Sequence, residues 1–143
     1  MLGFICALIA GAAMSIQGVM NTRLGDKAGV LETNAYVQLT GFVLALIIAL
    51  IFGKGDIRRL PDAPWYAWLG GVLAPVITVT VMLSISGLSP TIAISTILLA
   101  QLTVAALIDA FGIMDAEKIA FTWQKLLGVA LMVGGVIMMK IKT

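Results

Sequence analysis

The sequence predicts an all-α integral membrane protein with five transmembrane helices, and three observations carry that prediction. First, the 143 residues are 61% hydrophobic and 11% charged, with a mean hydropathy of +1.10. Soluble domains run at about 45–50% apolar and about 25% charged, so a water-soluble globular enzyme is excluded. Second, the apolar residues fall into five segments of about twenty, the number of helical residues that crosses the hydrocarbon core. Third, those segments are too long and alternate too poorly for barrel strands, whose lipid and lumen faces change at every residue. Backbone groups in lipid must be satisfied within the segment, which leaves helices.

Taken in order, the first span is expected over Leu2–Asn21, followed by Arg23, Asp26 and Lys27 in a loop. It lacks a clear positive n-region, so it reads as an uncleaved span and not as a signal peptide. The second covers Leu31–Phe52 and closes on Lys54, Asp56, Arg58 and Arg59. Pro61 and Pro64 break the chain before the third, Trp65–Ile85, in which Pro75 removes a backbone hydrogen bond and favours a kink. The turn Gly87-Leu88-Ser89-Pro90 leads to the fourth, Thr91–Phe111. A loop with Asp115, Glu117 and Lys118 precedes the fifth, Thr122–Met139, which ends at Lys140 and Lys142. Together they form one five-helix transmembrane domain, residues 1–143. Trp65, Tyr66, Trp68 and Trp123 open spans three and five on one side of the membrane, as an aromatic belt at headgroup level does. Small residues four apart, Gly3–Ala7–Gly11 and Ala130–Gly134, permit close helix approach.

Charge and residue inventory remove further classes. The net charge is +2, with no clustered basic face for nucleic acid. The chain has no histidine, which takes away the commonest metal ligand and the ordinary proton shuttle. Cys6 is the only cysteine; it is expected to be an inert buried thiol, and no disulfide or multi-cysteine metal site can form. The usual activated nucleophiles lack their bases, and Asp115 and Glu117 read as solvated loop charges. Gly70-Gly71 has no phosphate-binding lysine beside it, so no ATP-driven machinery is encoded. No cofactor, metal or catalytic residue is expected.

Basic residues in short loops set orientation. Five of them (Lys54, Arg58, Arg59, Lys118 and Lys125) fall on the side of the N-terminus, and four (Arg23, Lys27, Lys140 and Lys142) on the other. So near a balance, with an odd number of spans, points to insertion in both orientations. Two opposed copies would then supply the inverted pair that many transporters obtain by internal duplication.

Polar groups at membrane depth are costly and tend to face a bundle interior or a water-filled cavity. Gln17 and Asn21 are one helical turn apart in span one, and Asn34 and Gln38 are one turn apart in span two, so each pair shares a face. Gln101 lies deep in span four, and span three adds Thr78, Thr80, Ser84 and Ser86. The five amides, Gln17, Asn21, Asn34, Gln38 and Gln101, are expected to line one cavity; the other reading is hydrogen bonding between helices. Two acids stand apart as candidates for coupling or cation binding. Glu32 opens span two, where a carboxylate also suits the helix dipole. Asp109 sits at the unfavourable end of its helix, so a cation such as Lys118 or Lys125 is expected to hold it unless it serves transport.

Several of these residues carry a resemblance. Ser15-Ile-Gln-Gly-Val-Met-Asn-Thr-Arg-Leu24 resembles the first-helix pattern of the YdcZ-type branch of the drug/metabolite transporter superfamily. Trp68-Leu-Gly-Gly-Val-Leu-Ala-Pro75, the stretch from Gln101 to Gly112 and the closing Lys125–Gly135 are similar to that branch as well. The resemblance implies a half-sized, five-helix relative of ten-helix transporters, acting as a dimer. The smallest multidrug transporters of the superfamily exchange protons at a glutamate in the first helix, whereas span one here has Gln17 and no acid. Ala100 also stands where the pattern has glycine.

The expected function is therefore that of a small-molecule secondary transporter subunit, working by alternating access as an antiparallel homodimer in the inner (plasma) membrane. Its partners are a second copy of itself, the lipid bilayer and a small-molecule substrate. The alternative is a non-transporting membrane subunit packed against a larger partner.

Overall fold

The computed structural model describes residues 1–120 and 122–141; Lys142, counted above among the basic residues, lies outside them. The helices are α1 (Leu2–Ala28), α2 (Val30–Phe52), α3 (Gly70–Gly87), α4 (Pro90–Phe111) and α5 (Trp123–Ile141). Short 3-10 segments, Ile57–Asp62, Trp65–Leu69 and Ile113–Asp115, occupy the links. With Trp65–Gly87 taken as one span, all five are long and apolar enough to cross a membrane, so the all-α membrane fold is as expected. The chain divides into two compact units, Met1–Ser86 and Gly87–Thr143.

In the first unit the loop expected after Asn21 is absent. α1 runs seven residues further and meets α2 through Gly29 alone. Arg and Lys are good helix formers, and Lys27 in the last turn complements the helix dipole. Arg23 and Asp26 also pair at 3.9 Å on the exposed surface. The helix stops where it does because Gly29 takes φ 97° and its N–H returns to the Gly25 carbonyl at 2.9 Å, a backbone state cheap only without a Cβ. At 1.5 Å per residue the 27 residues of α1 span about 40 Å, some 10 Å more than the hydrocarbon core. The surplus carries its charged last turns into the headgroup region.

α3 approaches α1 at Gly18, where an added Cβ would lie 2.9 Å from Ile85 Cδ1 and 3.1 Å from Val81 Cγ1. The small residues expected to permit close approach make none within the chain: nothing lies within 4 Å of a Cβ at Gly3, Gly11 or Gly134, which leaves a seam with a second copy as the place they would serve. The first half of α1, from Met1 to Met14, is exposed along its length. Cys6 is exposed with it, not buried as its apolar surroundings suggested. Among the described residues the buried apolar side chains are Met82, Ile85, Ile92 and Ala93. A soluble fold could not persist with so little buried, but lipid is as apolar as leucine and asks for no such burial. Span three enters through the 3-10 turn Trp65–Leu69, and Pro75 lies inside α3, leaving the Gly71 carbonyl without its usual amide.

In the second unit, α4 starts at Ser89, whose side chain accepts from the Ile92 N–H at 3.4 Å, with Pro90 following as suits a first helical position. It ends at Gly112 in the left-handed conformation, φ 64°. The link then folds back: Met114 and Asp115 also have φ 59°, and the Ile119 N–H reaches the Asp109 carbonyl at 3.0 Å. α5 packs along α4.

Candidate functional site

The first unit gathers four of the five expected amides. Gln17 and Asn21 line a cleft of ≈ 440 Å³ between α1 and α2, opposite Tyr36, Val37 and Thr40. The same two residues line a smaller space of ≈ 50 Å³ toward α3, together with Gly18 and Thr78. On α2, the Gln38 Nε2 donates to Asn34 Oδ1 at 3.4 Å and to Thr78 Oγ1 at 3.2 Å. The Thr78 hydroxyl in turn donates to the Ala74 carbonyl at 3.0 Å. Thr78 thus accepts from α2 while donating within α3, and it faces the space lined by Gln17 and Asn21. Gln38 thus bonds within α2 and across to α3, while Gln17 and Asn21 line open volume.

The sequence does not single Thr78 out from Thr80, Ser84 and Ser86. Thr80, like Ser15 and Thr22, only bonds its own helix backbone. The signal that distinguishes Thr78 is depth. Gln38 lies fourteen residues back from Phe52, and Thr78 thirteen residues on from Trp65, so antiparallel spans bring them level.

Neither cleft has a charged residue in its lining. Glu32 occupies the first turn of α2, and its carboxylate lies so close over Gly29 that a Cβ there would collide with it. That places negative charge at the positive end of the helix dipole.

In the second unit, Asp109 Oδ2 pairs with Lys125 Nζ at 3.6 Å. The pair borders a cleft of ≈ 310 Å³ between α4 and α5, otherwise apolar, with Ala105, Ala106, Gly128 and Val129 in its walls. Of the two cations expected to hold Asp109, Lys118 lays its stem across Gly112 and Lys125 makes the ion pair. Gln101 is exposed on α4 and is not among the residues lining that cleft.

Among the described residues, no group of three His, Cys, Asp or Glu is placed to hold a metal ion. The arrangement consists of five apolar spans, an α1–α2 cleft with amides and hydroxyls among apolar walls and no charge, and an ion pair between α4 and α5. A family model described as "Putative inner membrane exporter, YdcZ" matches residues 2–138. The chain belongs to this family. No curated protein and no solved structure matches it. As a YdcZ-family member it is a multi-pass protein of the inner membrane and a transporter, not an enzyme. In this YdcZ-family chain the acids within the α-helices, Asp26, Glu32 and Asp109, stand in first or last turns, and the α1–α2 cleft offers amides and hydroxyls among apolar walls.

Proposed function

We propose that this YdcZ-family chain is a secondary-transporter subunit whose five spans act as one transmembrane domain, half of an inverted-repeat transporter. Two copies, antiparallel, alternate access to a small-molecule substrate across the bilayer. The observation that carries this reading is the placement of Gln17 and Asn21 on ≈ 440 Å³ of open volume between α1 and α2, with Asn34 and Gln38 in the same unit turned to Thr78 of α3. Polar groups are placed at that depth at a cost, and a solute pathway is what commonly repays it. Gln101 is assigned to the substrate path from the polar pattern of its span. Glu32 and Asp109 are assigned to coupling or to a cationic group. The near-balance of basic residues supports the opposed second copy.

Cysteine labelling tests the cavity without a known substrate. With Cys6→Ser as background, Gln17→Cys, Asn21→Cys and Gln101→Cys should react with a charged, membrane-impermeant maleimide in native vesicles, while Leu46→Cys should not. Silence at all three polar positions removes the cavity assignment. A C-terminal reporter should give signal on both sides of the membrane; signal from one side at equal expression ends the antiparallel pair. In proteoliposomes, Gln17→Ala or Gln101→Ala should lower solute flux, and unchanged flux in both removes their role.

A further inference from the structure

The link between α2 and α3 lies outside the transport reading, and the sequence treats it only as a proline-broken loop with an aromatic belt. It forms two 3-10 turns, Ile57–Asp62 and Trp65–Leu69. With three residues per turn, positions i and i+3 eclipse, so Ile57 and Leu60 share one edge, and Trp65 and Trp68 share another. All four are exposed, Ile57 at 79% and Trp65 at 76%. The cations of the link are divided. The Asp56 side chain accepts from the Arg58 backbone N–H at 2.9 Å and starts the first turn. Asp62 sits 3.8 Å from the Arg59 guanidinium. Both acids are thus engaged inside the link, whereas the Lys54 ammonium and the Arg58 guanidinium have no acidic partner among the described residues.

We propose that this link is a lipid-binding element: it lies in the headgroup layer and takes the phosphate of anionic phospholipids on Lys54 and Arg58, with Ile57, Leu60, Trp65 and Trp68 set into the acyl boundary. Exposed apolar edges cost free energy in water and are satisfied at the interface. Indole rings favour headgroup level, and unpaired cations there attract anionic lipid. Guanidinium also matches phosphate in a two-bond fork. The flanking spans hold the link at the bilayer surface, so its partner is already within reach.

The test uses the full chain in vesicles, with Trp123→Phe so that Trp65 and Trp68 are the reporters. Fluorescence should be quenched more steeply by brominated phosphatidylglycerol than by brominated phosphatidylcholine at equal mole fraction. The preference should be about fivefold or more and should shrink in 1 M NaCl. Lys54→Gln/Arg58→Gln should abolish the preference while leaving phosphatidylcholine quenching and helical circular dichroism unchanged. Equal quenching by the two lipids in the parent overturns the proposal. So does protection from both lipids, whether the indoles are open to aqueous iodide or covered by a second copy or another protein. None of these readings depends on transport, so failure here and failure of the transporter reading are separate.

Discussion

Asp109 and Lys125 face each other at 3.6 Å across the mouth of the α4–α5 cleft, each about two-fifths exposed. Asp109 lies in the last turn of its helix, where the dipole disfavours an acid, and Lys125 offsets that from the first turn of α5. Half-exposed pairs contribute little, about 0.2–1 kcal/mol, but removing one partner leaves the other charge without compensation. Asp109→Asn and Lys125→Gln should therefore each lower the melting temperature in detergent more than the double variant does. Strictly additive single effects would remove the pair. If Asp109 also serves coupling, Asp109→Asn loses flux at unchanged stability in the Lys125→Gln background.

Thr78→Val removes the acceptor that Gln38 finds on α3. Interhelical hydrogen bonds in membranes average about 0.6 kcal/mol, and Gln38 keeps only its 3.4 Å contact to Asn34. The expected loss is about 0.5–1.5 kcal/mol, read by unfolding in mixed micelles. Thr80→Val, whose hydroxyl bonds only backbone of its own helix, is the control and should change little.

Thr33 is 1% exposed, and its hydroxyl oxygen has no hydrogen-bond partner among the described residues. Burying an unsatisfied hydroxyl costs about 1–3 kcal/mol. Thr33→Val keeps the shape and should be neutral or stabilising. A loss of more than 1 kcal/mol in the same unfolding assay would show that the hydroxyl is in use.

Gly18→Ala asks Ile85 Cδ1, the end of a flexible side chain, to yield from 2.9 Å, and should cost under about 1 kcal/mol. Gly18→Leu drives into both Ile85 and Val81, parts α3 from α1 and should cost about 2–3 kcal/mol or more. Cysteine cross-linking between the two helices should fall with it.

Gly112→Ala meets strain of about 1–2 kcal/mol from its left-handed backbone, besides the Lys118 Cγ that would lie 2.7 Å from the new Cβ. The variant should melt lower, and hydrogen exchange should quicken at Ile119, whose N–H anchors the link to Asp109.

What was readable in the sequence follows what lipid demands. Four of the five span beginnings and ends fall within a few residues of their expected places, because apolar length is a strong signal in a solvent without water. α1 is the exception: charge marks where a helix leaves the hydrocarbon, not where it stops, and Gly29 decides the latter. Gln17 with Asn21, and Asn34 with Gln38, were legible from one-turn spacing. Thr78 was not, since its partner lies forty residues away and only the level of two opposed spans relates them. Gly18 escaped notice because small-residue spacing says which backbones can approach but not which neighbour arrives. The 3-10 edges of the α2–α3 link were hidden by its prolines, which break an α-helical pattern and leave a tighter turn free to form.

The single residue between α1 and α2 has a mechanical corollary. Helices of 27 and 23 residues that meet through one glycine at φ 97° have no slack at that end. They must enter the bilayer as a hairpin. Any separation of the two helices along their seam is therefore confined to the far arms, Leu2–Met14 and Leu39–Phe52, while the Gly29 end stays pinned.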